Sequence, residues 1–346
     1  MKLIEAVPNF SEGRDIGVIS SIAAALSGCE GTKLLDIDPS RDANRTVYTL
    51  VGDPASLEVA LFSGIKRAVE LIDMSRHVGT HPRIGACDVC PLVPFSGVDF
   101  KDCDALAKRL GEKIWSELEV PIYYYERSAG DDKRKNLSDL RRGEYEGLSD
   151  KLKDPKWLPD VGSPIFNPKS GLTVIGARDF LIAYNVNLNG TLQQAKTIAA
   201  IIRESGRFLK DSNGRQVYDL DNKPVRREGM LKFVKAIGWY MEELQQAQVS
   251  TNILDFRKSP LVRVFHTIRQ EALRLGVDVT GSELVGMIPL EALLDPGRIE
   301  ELSSSQQEKK VEEIAGELGL NQLKPFNPES KILEFKLKDE KGFHET

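Results

Sequence analysis

Thr32–Val51 reads TKLLDIDPSRDANRTVYTLV. Thr32 to Asp38 is a mostly apolar run suited to a strand. Asp38 to Asn44 is turn chemistry, and Thr46 to Val51 is a second strand rich in β-branched residues. Two strands with only a turn between them set the order of what surrounds them. Upstream, Lys2 to Val7 is a short apolar strand. Asp15 to Ser27 places Ile16, Val18, Ile19, Ile22 and Leu26 at helical spacing, with Ser11 or Asp15 to cap it. Downstream, Pro54 to Ile72 is an amphipathic helix, Val89 to Pro94 a strand, Asp102 to Leu118 a helix and Pro121 to Glu126 a strand. The order begins β-α-β-β-α-β, the split arrangement of ferredoxin-like folds.

The second half repeats this order with little visible identity. Phe180 to Asn187 is a strand and Thr191 to Glu204 a helix. Phe233 to Tyr240 and Ala247 to Leu254 are strands, Pro260 to Leu275 is a helix, and a strand lies within Val277 to Ile288. The expected fold is therefore α+β, two ferredoxin-like βαββαβ subdomains related by duplication. The charged run from Ser128 to Asp154 reads as solvated loop and helix, and WLPDVGSPIFNPKSG (157–171) as a hinge. The expected segments are 1–175, 176–300 and a 301–346 extension with one amphipathic helix and a final strand, KILEFKL. Residues 206–229 read as an inserted hairpin. DSNGRQVYDLD lacks the spacing of a calcium loop and reads as a plain turn.

At 346 residues the chain is long enough for about two domains. It is 41% hydrophobic and 29% charged, with net charge -5 and a pI near 5.6. That balance argues against general nucleic-acid binding. No apolar run reaches eighteen residues, and the first residues do not form a signal peptide, so neither a membrane span nor secretion is expected. Four cysteines are too few for a disulfide scaffold, and a reducing cytoplasm fits best.

The densest chemistry lies in HVGTHPRIGACDVCPLVPF, His77–Phe95. His77, His81, Cys87 and Cys90 could in principle bind zinc. Strand alternation, however, would aim Cys87 and Val89 one way and Asp88 and Cys90 the other. A redox pair would sit at a helix N-terminus, whereas this pair opens a strand, so two small core residues are the simpler reading. Gly79 and Pro82 make a shaped loop of the histidines, and His is the usual acid or base near neutral pH. Arg83 beside it is a fork suited to a carboxylate. A loop merely held together by His and Arg fits the same residues, and residue chemistry alone leaves both readings open. Asp36 and Asp38 could orient an imidazole or simply cap a turn. Asn9 and Ser11 in VPNFSEG close the first strand, Asn44-Arg45 opens another, and such strand ends could converge beside the His loop.

Taken together, VPNFSEG, LLDID, NRTVYT, LIDMSRH, HPRIGACDVCP, RRGEYEGL, IGARDFLIAYNVNL, AIGWY, AQVSTNILDF and ELVGMIPL resemble the glutamate formimidoyltransferase (formiminotransferase) family, the transferase half of formiminotransferase-cyclodeaminase, in register from about Leu3 to Phe335. The resemblance implies a groove between the two subdomain sheets, a homodimer, and transfer of a formimidoyl group from N-formimino-L-glutamate to tetrahydrofolate in histidine breakdown. Folate would be a co-substrate, and no metal is expected. The catalytic histidine would be His81 and its supporting carboxylate Asp38. The folate segment would be Gly162, Ser163, Pro164, Ile165, Phe166, Asn167, Pro168, Lys169, Ser170 and Gly171. Arg83, Arg45, Lys169 and Arg178 are candidate carboxylate clamps, with Arg83 best placed by sequence; His77 and Asn9 are further substrate contacts. A chain ending near 346 would leave ring closure to a separate cyclodeaminase. Alternatives are transfer of a formyl group between 5-formyltetrahydrofolate and glutamate, and a non-catalytic folate-binding subunit.

Overall fold

The computed structural model describes residues 2–242, 245–294, 299–322 and 325–339. It separates into two compact units, one running to Asp179 and the other beginning at Phe180.

In the first unit, β1 (Leu3–Ala6) and β2 (Asn9–Phe10) act as one strand interrupted at Pro8, which has no N–H for a ladder. There follow α1 (Ile16–Ser27), β3 (Thr32–Ser40), β4 (Arg45–Gly52), α2 (Pro54–Leu71), β5 (Cys87–Ser96) and α3 (Phe100–Leu118). Next come β6 (Ile122–Tyr124), α4 (Leu137–Leu140), α5 (Glu144–Lys151) and β7 (Thr173–Ala177). Of the two expected caps for α1, Asp15 serves, its Oδ1 accepting from the Gly17 and Val18 amides. The sheet runs β3-β4-β1/β2-β5-β7-β6. Strands β3, β4, β1 and β5 pair antiparallel, and β7 lies parallel to both β5 and β6.

Period-2 alternation sends Ile4, Phe10, Tyr48, Leu50 and Leu92 to one face, where Leu57, Leu61, Ile65, Leu106 and Leu110 from α2 and α3 meet them, all fully buried. Burying each such side chain contributes about 1.5–3 kcal/mol. Tyr48 keeps its hydroxyl satisfied by donating to the Ile19 carbonyl at 3.0 Å. On the other face a smaller cluster of Val89, Val174, Tyr123, Leu140, Leu148 and Leu152 is closed by α4 and α5. Across that face runs the row Asp38, Val47, Asn9, Val89, Val174, Tyr123, each the direct neighbour of the next.

The second unit contains β8 (Ile182–Asn189), α6 (Leu192–Ile202), the hairpin β9 (Arg207–Phe208) with β10 (Arg226–Arg227), β11 (Val234–Met241), β12 (Gln246–Ile253), α7 (Leu261–Arg274) and β13 (Asp278–Val285). Its four long strands order as β11-β12-β8-β13, all neighbours antiparallel. Counting strands within each unit, both sheets carry the order second-third-first-fourth. Tyr184, Val186, Leu188, Val249, Ile198 and Ile268 fill the core beneath α6 and α7. The tail helix α8 (Ser304–Glu317) adds Val311 and Ala315 to that core. Among the described residues no helix is long and apolar enough to cross a membrane.

The structure corrects three expectations. KILEFKL is not a strand: after the short α9 (Pro328–Lys331), Leu333–Asp339 forms α10, and only Ile332 makes a strand-like bridge, to Ile288. Residues 340–346 of that extension lie outside the described residues. The 157–171 segment is not a linker, because it belongs to the first unit and leads into the unforeseen strand β7. Finally, a register shift opposite Phe10 breaks alternation in β5, so Cys87 and Cys90 enter the same helix-backed core. Burial pushes the Cys90 thiol up to about 12 and also raises Cys87 well above the ordinary thiol value. Both are inert core residues.

Candidate active site

Four segments meet at one end of the first sheet. The loop after α2 begins at the short turn Met74–Arg76 and reaches β5. Its ends are stitched by one strand-like piece: the Met74 amide donates to the Lys169 carbonyl, and the Ala86 amide to the Ser170 carbonyl. Asn167 caps this piece, its Oδ1 accepting from the Lys169 and Ser170 amides at 3.1 Å. Gly171 is obligatory here, since its φ is +66° and a Cβ would lie 2.1 Å from the Ile84 carbonyl oxygen.

The turn between β3 and β4 lies against this loop. Asn44, itself at φ +48°, donates from Nδ2 to the Val78 carbonyl and accepts from the Gly13 amide, joining the first-strand loop as well. Thr80 donates from backbone and hydroxyl to the Asp42 carbonyl. Gly79 passes so close that a Cβ would sit 2.2 Å from the Ala43 carbonyl oxygen.

The two histidines have different fates. His77 is buried; its Nε2 donates to the Asn44 carbonyl at 2.8 Å, and its Nδ1 accepts from Arg83 Nε at 3.1 Å. Both ring nitrogens are occupied, and burial followed by the Arg83 charge hold it neutral. His81 is half-buried, and its two polar neighbours both sit at Nδ1: the Pro82 carbonyl at 2.8 Å, which accepts from the Nδ1–H tautomer, and Arg45 Nη1 at 3.0 Å, which in that tautomer stands beside the ring as a charge rather than donating to it. Nε2 is left open. Desolvation, then Arg45 and Arg141, hold the imidazole well below 6.5, so it is neutral at pH 7.

Arg83 does not present the open fork expected of a clamp. It has five N–H donors. Nε and Nη2 reach His77, and Nη1 and Nη2 form a two-pronged pair with Glu146 at 2.8 and 2.6 Å. Glu144 takes the fifth at 3.1 Å. A substrate carboxylate would have to displace Glu146. These same residues, with Val78, Gly79 and Gly143, line a cleft of about 410 Å³. Arg45 is the opposite case: beyond His81 its N–H groups carry no hydrogen bond among the described residues. Desolvation and the nearby Arg141 lower it to about 10. Arg141 pairs with the fully buried Asp88, whose other oxygen accepts from the Ile84 amide, and its Nε is buried without a partner. The His81 surroundings therefore carry a surplus of positive charge with unused donors, the setting for an anion.

Asp38 sits on β3 opposite Val47, two register positions from the Ser40–Arg45 pair and on the same face. It is not among the hydrogen-bond partners of His81. Asn9 is buried, and its Nδ2 donates to the Val7 carbonyl. Asp88, Arg141, Glu144 and Glu146 were not singled out in the sequence. The last three fall in a run that looks merely solvated, and nothing in spacing links Arg83 to a residue 63 positions on.

Comparison with known proteins shows the family. Residues 3–178 match the model of the formiminotransferase domain, N-terminal subdomain, and residues 183–338 that of the formiminotransferase domain. The chain belongs to the formiminotransferase family. It is 42% identical over 295 residues to glutamate formimidoyltransferase of Streptococcus pyogenes, spanning 85% of this chain and 91% of that one. It is 39% identical to the Thermoplasma acidophilum protein of the same name over 298 residues, again 85% and 91%. It is 44% identical over 342 residues to mouse formimidoyltransferase-cyclodeaminase, covering 98% of this chain and 60% of that one. The chain thus spans about 60% of the length of such two-activity relatives. In this chain the stretch Gly162–Gly171 is the piece that holds the His loop. Its Lys169 Nζ donates to the Glu70 carbonyl, Phe166 packs on Tyr145, and Ile165 is 73% exposed.

Proposed function

We propose that this chain transfers the formimidoyl group of N-formimino-L-glutamate to N5 of tetrahydrofolate, releasing L-glutamate. The names and coverage of the relatives support the reaction. The observation that carries the site is a neutral His81 held only at Nδ1, beside a guanidinium with unused donors.

The folate N5 must lose a proton as it bonds to the formimidoyl carbon, and the glutamate nitrogen must gain one to leave. With Nδ1–H donating to the Pro82 carbonyl, His81 Nε2 offers a lone pair to the first proton. The resulting imidazolium is a strong acid beside Arg45 and hands the proton to the departing nitrogen. General acid-base action of this kind is worth about 10²–10⁴ in rate. Arg45, with Arg141 behind it, binds a glutamate carboxylate in the role first expected of Arg83. Asp38, on the same sheet face as Arg45, stabilises the cationic formimino nitrogen. The Pro82 carbonyl takes over the orienting task first expected of Asp38. Exposed parts of Gly162–Gly171, Ile165 above all, offer contacts to the folate.

We read each unit as a ferredoxin-like βαββαβ module, supported by the shared second-third-first-fourth strand order. The first is extended by β7 and β6. The test is a coupled assay: purified chain, formiminoglutamate and tetrahydrofolate, with a cyclodeaminase added and methenyl-folate absorbance followed. Absorbance should rise only when all components are present; no rise with active cyclodeaminase overturns the reading.

A further inference from the structure

The second sheet also has a face turned away from its helices, and that face carries a buried amide network. Trp239, Gln248 and Asn187 are direct neighbours across β11, β12 and β8, and Asn185 lies opposite Glu283 of β13. Asn187 and Gln248 are fully buried and Asn185 is 4% exposed, while Trp239 and Glu283 are half-buried.

Chemistry fixes how each amide is turned. The indole Nε1–H can only donate, and it donates to Gln248 Oε1. Gln248 Nε2 must then face outward from that bond, and it donates to Asn187 Oδ1 at 2.8 Å and to Glu283 Oε1 at 2.9 Å. The carboxylate can only accept, so Asn185 turns its Nδ2 to Glu283 Oε1 at 3.1 Å. Two groups are left over, both buried and without partners among the described residues: the Asn187 Nδ2 donor and the Asn185 Oδ1 acceptor. Leaving such groups unmade in a buried site is unfavourable, and a ligand that supplies the missing partners removes that penalty. Flipping either amide would only oppose donor to donor or acceptor to acceptor. The face therefore displays one surplus donor and one surplus acceptor, with the carboxylate of Glu283 beside them.

We infer that this face, at Asn185, Asn187 and Glu283, binds the 2-amino-4-oxo edge of a pteridine. That edge presents one acceptor, O4, next to two donors, N3–H and the 2-amino group. The acceptor matches Asn187 Nδ2, and the donors match Asn185 Oδ1 and the carboxylate. The amidine of formiminoglutamate offers donors alone and would leave Asn187 unmatched. The assignment rests on the folate-dependent reading above and names the part of the protein that recognises the ring.

The test compares tetrahydrofolate with its 2-desamino-2-methyl analogue, which keeps the ring and loses the donor. In the intact wild-type chain the analogue should bind at least about tenfold more weakly. In Glu283→Gln that discrimination should shrink to near unity, with the KM for tetrahydrofolate raised and the KM for formiminoglutamate unchanged. Equal binding of the two ring compounds by wild type overturns the inference without any variant being needed. A Glu283→Gln effect confined to formiminoglutamate overturns it as well. If wild type binds neither ring compound, the folate reading itself fails, which is a separate result.

Discussion

The two sheets share one strand order but not one kind of open face. Toward the helices they are interchangeable in character: Tyr48 and Leu50 in one, Tyr184 and Val186 in the other, all buried under two or three helices. On the opposite face the first sheet carries charge, with Asp38 and Arg45 two register positions apart. The second carries amides, Asn185, Asn187 and Gln248, with Glu283 at their edge. The shared face is what period-2 alternation under a helix demands. The unshared face is free of that demand, and it is where chemistry can differ: in the proposed function, proton transfer and anion binding on one sheet and hydrogen-bond recognition on the other.

The largest break to expect is at His81. His81→Ala should lower kcat by about 10²–10⁴ while circular dichroism and thermal unfolding stay those of wild type. Near-normal turnover would strip the charged face of its reaction. Next is Arg45→Gln, which should raise the KM for formiminoglutamate about 10–100-fold. The same change removes a charge that depresses His81, so the acid limb of the kcat profile should move to higher pH. A limb that stays put, or moves down, would detach Arg45 from the imidazole. Arg83→Lys tests the other side of the contrast. It breaks the two-pronged pair with Glu146 and the bonds to His77, and should cost about 1–3 kcal/mol of stability. KM for formiminoglutamate should stay within about threefold; a tenfold rise would restore Arg83 as a clamp. Smallest is Gly79→Ala, where the new methyl meets the Ala43 carbonyl. Denaturant unfolding should show a loss of about 1–3 kcal/mol.

Much of the scaffold was legible because it follows from local rules. Helices such as Pro54–Leu71 and strands such as Arg45–Gly52 announce themselves by period and caps. What escaped depends on distant pairing. Thr173–Ala177 is a strand because β5 and β6 flank it, and Asn9–Phe10 because β4 and β5 do. KILEFKL alternates poorly and suits either state; it is helical with Leu333 buried and Phe335 packed into the second core. Alternation in β5 misplaced the cysteines because a bulge cannot be seen in composition. At the proposed site, His81 and Arg45 were candidates from residue chemistry and resemblance. That Arg83 is spent on Glu144 and Glu146, and that Asp88 anchors Arg141, are long-range ion pairs no local pattern reveals.

The central claim is that His81 is a neutral imidazole whose Nε2 is open to take a proton. Nitrogen-15 NMR of labelled chain, with His81 assigned by its loss in His81→Ala, tests it directly across pH. The account predicts a neutral ring until the pH is well below 6.5, with Arg45→Gln moving the titration upward. A ring in wild type that gains its proton at or above that value would contradict it.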